Sequence, residues 1–306
     1  MARIIFMGTP DFAVPALEAL HSEFGVTAVV TVPDKPQGRG QQVVPSAVKS
    51  KALELQIETI LQPVKLRDES FAASIRTLQP DIICVIAFRI LPESVYSLAR
   101  FGAFNVHASL LPRYRGAAPI NHAIINGERT TGVTSFLLNS VVDTGTIILQ
   151  RSIEIEDGTT AGELYEKLKP LAAECAVDTC RRLLAGTATF MKQDDALASP
   201  APKVFRETAR ISWDRPRVDV RNFIHGHSPI PCAWTPFGEE NMKVYRASLS
   251  NVSCPCNTFM IEDNGIIVGC RDGALSLDEI QFPGKRIMKA TQFISGYRGP
   301  RTGPLT

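Results

Sequence analysis

The chain has no run of about 18 consecutive apolar residues, the length a helix needs to cross a bilayer, so nothing in its 306 residues reads as a transmembrane span. Its opening segment, Ala2-Arg3-Ile4-Ile5-Phe6-Met7, is apolar but stops at Gly8. That is short of the apolar region and small-residue cleavage site of a secretory leader, and it reads as a buried strand. The cytoplasm is the expected compartment, with no membrane partner. The seven cysteines, Cys84, Cys175, Cys180, Cys232, Cys254, Cys256 and Cys270, are odd in number and scattered, which argues against a disulfide framework. Cys254-Pro255-Cys256 is too tight for a zinc knuckle and has no second ligand pair, while His225-Gly226-His227 has no acid or cysteine nearby to complete a set and reads as a turn. No metal is expected. The first strand-to-helix turn, Gly8-Thr9-Pro10, lacks the G-x-G-x-x-G of a dinucleotide fold, which argues against a nucleotide cofactor. No G-x-S-x-G elbow surrounds Ser109 and no cysteine is evidently paired with a histidine, so no covalent acyl-enzyme is expected.

What is present is a 44% apolar chain long enough for one large or two ordinary domains. Over residues 1–188, apolar segments of strand length alternate with helical stripes: strands at 3–7, 26–32, 57–61, 82–87, 102–106, 132–138 and 147–155, helices at 11–22, 46–55, 69–78, 92–98, 119–126 and 160–184. This pattern predicts an α/β fold with a doubly wound, mostly parallel sheet of Rossmann-like type. Residues 189–205 lose periodicity, gain proline and polar residues, and read as a linker. Residues 206–306 carry short strands with polar turns, the pattern of a small β-barrel of oligonucleotide-binding (OB) type. The net charge of +2 hides an asymmetry, since residues 206–306 hold 13 Lys or Arg against 10 Asp or Glu. After Glu279 no acid remains, but Lys285, Arg286, Lys289, Arg298 and Arg301 follow. Such a tail is either a solvated surface or a grip on a polyanion, and charge alone leaves both open.

The stretch from Phe104 to Gly116 organises the rest. A short strand ends on Asn105 and His107, spaced i and i+2, so both side chains share one face. In an open α/β sheet, sites form beyond the carboxyl ends of the strands. An amide and an imidazole delivered together there suit acyl chemistry, with a basic loop, Pro112-Arg113-Tyr114-Arg115-Gly116, directly after. Asp143-Thr144-Gly145 lies in a turn between two strands, and by itself an Asp before Thr-Gly is a common turn residue. Asp34–Gln42, rich in Pro, Gly and polar residues, reads as a loop whose glycines flank Arg39.

Asn105-Val106-His107-Ala108-Ser109-Leu110-Leu111-Pro112-Arg113-Tyr114-Arg115-Gly116 resembles N-x-H-x-S-L-L-P-x-[YF]-R-G, the signature of the folate-dependent formyltransferases. Gly8-Thr9-Pro10, Pro33-Asp34-Lys35-Pro36-Gln37-Gly38-Arg39-Gly40, Asp143-Thr144-Gly145, the Pro229–Trp234 segment and Gly284-Lys285-Arg286-Ile287-Met288 extend the likeness along nearly the whole chain. The resemblance implies a one-carbon transferase that moves a formyl group from 10-formyltetrahydrofolate to an amine. The segments outside the signature point to methionine on initiator Met-tRNA as the acceptor, in translation initiation. It also implies that Asn105, His107 and Asp143 are catalytic. Asn105 and His107 would donate to the developing oxyanion, and Asp143 would fix the imidazole and accept the proton. Phe88, Arg89, Ile90 and Leu91, with Ser109, Leu110, Leu111 and Pro112, are implied to line the folate site. Arg39 and Lys35 on the basic loop, and Lys285, Arg286 and Lys289 in the tail, are implied to contact tRNA. Two segments depart from the family pattern: Ala87-Phe88-Arg89 is one residue short of A-Y-G-x, and Leu138–Val142 lacks the acid and the glycine of M-D-x-G-x-D-T-G. An amino-sugar nucleotide acceptor, water as acceptor in a formyl-folate hydrolase, and an inactive RNA-binding protein remain as alternatives. A monomer is expected.

Overall fold

The structure is a computed structural model that describes residues 2–37 and 42–305. The chain divides into two compact units. One comprises Met1–Gly116, Gly132–Ile153 and Tyr165–Pro200, and the other Ala117–Thr131, Glu154–Leu164 and Ala201–Thr306.

In the first half of the chain, β1 (Ile4–Gly8), α1 (Val14–Phe24), β2 (Val26–Val30), β3 (Lys35–Gln37), β4 (Gln42–Val44), α2 (Ala47–Glu54), β5 (Thr59–Leu61), α3 (Glu69–Leu78), β6 (Ile82–Ile86), α4 (Glu93–Tyr96) and β7 (Ala103–His107) follow one another, and apart from β3 and β4 they alternate as the sequence pattern predicts. α5 (Pro119–Ile125), β8 (Thr130–Leu137), β9 (Ile147–Glu154) and the 25-residue α6 (Ala161–Ala185) follow. The main sheet runs β5-β2-β1-β6-β7-β8-β9, parallel through β7, with β8 antiparallel to β7. Its central strands are apolar on both faces because both are covered. Ile5, Met7, Val30, Ile83 and Val85 pack with Phe71 and Ile75 of α3 and with Leu91 and Val95, and by the two-residue period Ile4 and Phe6, also fully buried, serve the opposite face. On β8 the buried Ser135 Oγ accepts a 2.7 Å hydrogen bond from Thr179 of α6.

Asp34–Gln42, expected as a loop, is in part a two-stranded ribbon. β3 and β4 pair antiparallel, with Lys35 opposite Val44 and Pro36 opposite Val43. The β-branched Val43-Val44 favours extended backbone, and an edge ribbon tolerates the proline's missing N–H. Below it Lys49 Nζ and Gln62 Nε2 both donate to the Asp34 carboxylate, and Gln62 Nε2 also donates to the Val32 carbonyl at 2.8 Å. Arg39 lies outside the described residues.

The second half carries α7 (Arg217–His227), β10 (Ala233–Phe237), β11 (Glu240–Ser250), β12 (Thr258–Glu262), β13 (Gly265–Cys270), β14 (Gly273–Gln281), β15 (Met288–Lys289), α8 (Ala290–Gly296) and β16 (Thr302–Pro304). The strands form a curled antiparallel sheet in the order β10-β11-β14-β13-β12-β16, with β15 on β14. Its core gathers Trp213, Val244, Val268, Leu277 and Ile280 with an aromatic cluster in which Phe237 meets Phe259, Phe282, Phe293 and Tyr297.

His225-Gly226-His227, read from sequence as a turn, is the last turn of α7. Both histidines are buried and hydrogen-bonded within the fold. His227 Nδ1 donates to the Phe223 carbonyl at 2.8 Å, and His225 Nε2 accepts from the Ala247 amide at 3.2 Å. Gly226 is there because α5 approaches: a Cβ would stand 2.3 Å from Ile125 Cγ1, and the Gly226 carbonyl accepts from Asn121 Nδ2 at 2.7 Å. Burial, helped by the Arg246 and Arg221 cations, depresses the His225 pKa to about 4. A depressed histidine contributes stability that is complete above its unfolded value near 6.5 and is lost as pH falls from there towards 4. Between pH 7.5 and 5 the loss is about 2 kcal/mol at roughly 1.4 kcal/mol per unit. Urea unfolding of the native chain is therefore expected to show this decline, and His225→Gln, which keeps an acceptor but cannot titrate, to flatten it. An unchanged slope in the variant would exclude His225 as its source.

Candidate active site

β7 carries Asn105 and His107 to the carboxyl edge of the sheet, where Asn105 is half-buried and His107 is 7% exposed. Both strand neighbours hold this register, with Val85 of β6 and Phe136 of β8 opposite Asn105. After His107 the chain turns back on itself. Tyr114 sits in the left-handed region at φ +63° and aims its carbonyl at His107 Nε2, 2.8 Å away. A carbonyl only accepts, so Nε2 bears the hydrogen and Nδ1 is the ring nitrogen left to accept. Nδ1 stands 3.8 Å from Asp143 Oδ2, beyond direct hydrogen-bonding distance.

Asp143, 8% exposed, also takes a left-handed conformation, at φ +57°. Its Oδ2 accepts a 3.0 Å hydrogen bond from the Gly116 amide, which ties it to the end of the loop that carries Tyr114. The turn before it departs from the family pattern but is closed locally. Asn139 Oδ1 accepts from the Val141 amide at 3.1 Å, and its amide bonds the Thr144 hydroxyl at 3.1 Å. A neutral amide thus closes the turn where the family pattern has an acid. Gly145 is obligatory, since a Cβ there would lie 1.6 Å from the Leu137 carbonyl oxygen.

The segments read as folate-lining flank this pair. In the Ser109–Pro112 turn, Ser109 is fully buried and its hydroxyl donates to the Arg113 carbonyl at 2.7 Å. Thr134 Oγ1 donates to the Ser109 carbonyl at 2.6 Å and accepts from the Leu111 amide at 3.0 Å. Ser109 is therefore committed to holding the loop, and Leu111 is buried against Phe136 and Ile147. Phe88–Leu91 leaves the neighbouring strand β6 through Ala87 at φ +48°. Arg89, which the sequence left open between substrate and solvent, does neither. Its guanidinium donates to the Pro63 and Val64 carbonyls at 2.6 and 2.9 Å and lies over the Phe88 ring. Leu91 is buried, while Ile90 is 75% exposed. Of the basic residues, Lys35 is exposed on β3, and Lys285, Arg286 and Lys289 are exposed on the β14–β15 turn and at the start of α8.

Sequence reading missed the contribution of residues 191–200, taken as linker. Met191 bridges to Ile147, and Ser199 bonds Tyr114 and Arg115, its Oγ accepting from the Tyr114 amide at 2.9 Å and its carbonyl from the Arg115 amide at 2.8 Å. Gln193, 6% exposed, donates to the carbonyls of Asp143 and Gly145 at 2.9 and 2.8 Å, and accepts from Arg115 Nε and Nη2 at 3.1 and 2.8 Å. A polar side chain in a segment without periodicity carries no local signal of such burial; only Arg115 within the signature hinted at a partner.

The Formyl transferase family model matches residues 2–180, and the model for the Formyl transferase, C-terminal domain matches residues 203–298. A protein named methionyl-tRNA formyltransferase from Chlorobium phaeovibrioides (strain DSM 265 / 1930) is 45% identical over 305 residues, covering 97% of this chain and 95% of its own. One of the same name from Clostridium novyi (strain NT) is 41% identical over 299 residues, 96% of each chain. Among solved structures, an N-formyltransferase from Helicobacter canadensis, in complex with folinic acid and dTDP-3-aminofucose, matches with a TM-score of 0.70 at 18% identity, covering 90% of this chain and 99% of that one. The methionyl-tRNA formyltransferase from Clostridium thermocellum matches at 0.56 and 18%, covering 84% and 97%. At those identities the structural likeness establishes the fold, and the family follows from the sequence relatives. Matched along nearly its whole length by proteins of that name, this chain belongs to the methionyl-tRNA formyltransferases.

Proposed function

We propose that this chain transfers a formyl group from 10-formyltetrahydrofolate to the amino group of methionine on initiator tRNA, in the cytoplasm, at the start of translation. The observation that carries this reading is the buried His107–Asp143 pair at the end of β7, with Nε2 of the imidazole already committed to the Tyr114 carbonyl and the carboxylate already held by the Gly116 amide. The Phe88–Leu91 loop and the Ser109–Pro112 turn leave the adjacent strands β6 and β7, which places both at the carboxyl edge of the sheet beside this pair, where a folate would have to reach.

The folate supplies an activated one-carbon unit, so the protein needs no nucleophile of its own. Its residues have three tasks. Asn105 offers an amide N–H to the formyl oxygen as negative charge develops there. With Nε2–H held by the Tyr114 carbonyl, Nδ1 of the neutral imidazole has no hydrogen to give, so His107 is read as an acceptor and not as the second oxyanion donor expected from sequence; it and Asp143 receive the proton the attacking amine must lose, through Nδ1, through Oδ2, or through a water in the 3.8 Å gap between them. The left-handed turns at Tyr114 and Asp143 hold these groups in place before substrate arrives, so little reorganisation is needed at the moment of reaction. Lys35 and Arg39, four positions apart in the sequence, and Lys285, Arg286 and Lys289 in the acid-free tail, supply cations for tRNA phosphates.

The deciding experiment is single-turnover formyl transfer with methionine-charged initiator tRNA, charged elongator tRNA, free methionine, an amino-sugar nucleotide and water as competing acceptors. Strong preference for the initiator tRNA is expected. Equal consumption of the formyl donor without tRNA would replace this reading with a hydrolase or small-amine transferase. Asn105→Ala and Asp143→Ala should each lower turnover by about 10²-fold or more, and unchanged turnover in either would remove that residue from the reaction. Arg39→Ala should weaken transfer to charged tRNA and lower the salt dependence of tRNA binding while leaving folate binding intact. Equal loss of folate and tRNA binding would make that residue structural.

A further inference from the structure

We infer that Gln193 is a positioning residue for the reaction, acting through the backbone of Asp143; the inference rests on the site reading above. Every hydrogen-bonding position of its side-chain amide is used. Both Nε2 hydrogens go to carbonyls that can only accept, those of Asp143 and Gly145, and both lone pairs of Oε1 go to Arg115, which can only donate. This set of partners fixes the amide's orientation and admits no flipped alternative. Gln193 therefore spans the two loops that build the pair. The Asp143–Gly145 turn presents the carboxylate, and Arg115 lies between Tyr114, whose carbonyl orients His107, and Gly116, whose amide holds the carboxylate. Arg115 is anchored on its far side by Asp195 at 2.7 Å.

The energetics favour a mechanical role. Asp143 is a non-glycine residue at φ +57°, a conformation that persists only where the surroundings over-determine it. Its side chain is anchored by the Gly116 amide and stands just beyond hydrogen-bonding distance of the imidazole. A shift of a few tenths of an ångström in this backbone decides whether the 3.8 Å gap closes when substrate is bound. Gln193 clamps the carbonyls on either side of Thr144, which is the part of the turn that sets this backbone. Its own side chain is buried against those carbonyls and Arg115, so it acts on Asp143 rather than on the substrate.

The test uses the whole chain with 10-formyltetrahydrofolate and charged initiator tRNA. Gln193→Glu is isosteric and still accepts from Arg115, but it turns an acceptor oxygen towards two carbonyls. Gln193→Met removes the bonds without that repulsion. The expected result is a kcat lowered about 10-fold or more by Gln193→Glu and less by Gln193→Met, with KM for both substrates within about two-fold. The pH–rate profile should be displaced, and neither variant should cause a further loss when combined with Asp143→Ala, because neighbours acting through one group are not additive. The same fold-loss in the Asp143→Ala background, a raised KM with kcat intact, or a Gln193→Met chain that fails to fold would each overturn the inference. Full activity of Asp143→Ala alone would instead overturn the site reading, while an impaired Asp143→Ala beside unimpaired Gln193 variants would overturn the positioning role only.

Discussion

The hydrogen bond between His107 Nε2 and the Tyr114 carbonyl is the constraint around which the rest of the site is arranged. It settles which ring nitrogen carries a hydrogen, because a carbonyl can accept but not donate. It also needs the chain to reverse within seven residues of the end of β7. The reversal is built from buried, mutually satisfied groups: the Ser109 hydroxyl on the Arg113 carbonyl, Thr134 on both Ser109 and Leu111, and Gln150 on the Leu111 carbonyl. Leaving any one of these buried groups unpaired would cost about 1–3 kcal/mol. The loop is thus as firmly determined as the strand it leaves, and the imidazole inherits that firmness.

The carboxylate arrives by a different route and needs a different kind of support. Asp143 sits in a turn between two strands, in a left-handed conformation, with no helix end or strand register of its own to fix it. What holds it comes from three directions: Asn139 closing the turn from within, the Gly116 amide on its Oδ2, and Gln193 on the flanking carbonyls. The departure from the family pattern at Leu138–Val142 leaves this support intact, because Asn139 takes over turn closure with a neutral amide. The shortened Phe88–Leu91 loop is compensated in a similar way, with Arg89 turned back to bind two carbonyls of the 63–64 segment rather than the solvent.

The α/β alternation was legible because it is local. Apolar runs such as Ile82–Ile86 and the Phe71, Ala72 and Ile75 stripe declare period and burial within a few residues of themselves. The errors fall where long-range partners override local cues. The glycine and histidines at 225–227 look like a turn until α5 is seen to demand a residue with no Cβ, and the polar, glycine-containing stretch from Asp34 looks like an open loop until Lys35 and Pro36 pair with Val44 and Val43.

By itself the sequence determined the order of strands and helices, the delivery of Asn105 and His107 on one face of a strand end, the basic character of the tail, and, through its signature, the family. Each of these depends on residues close together in the chain. Only the tertiary structure decided that Nε2 of His107 is committed to the Tyr114 carbonyl, that Arg89 is a brace, and that Gln193 is bonded to the Asp143 turn and not part of a free linker. Those facts rest on pairings between residues 7, 26 and 50 positions apart. A hydrogen bond between distant residues leaves no periodicity for a sequence to display.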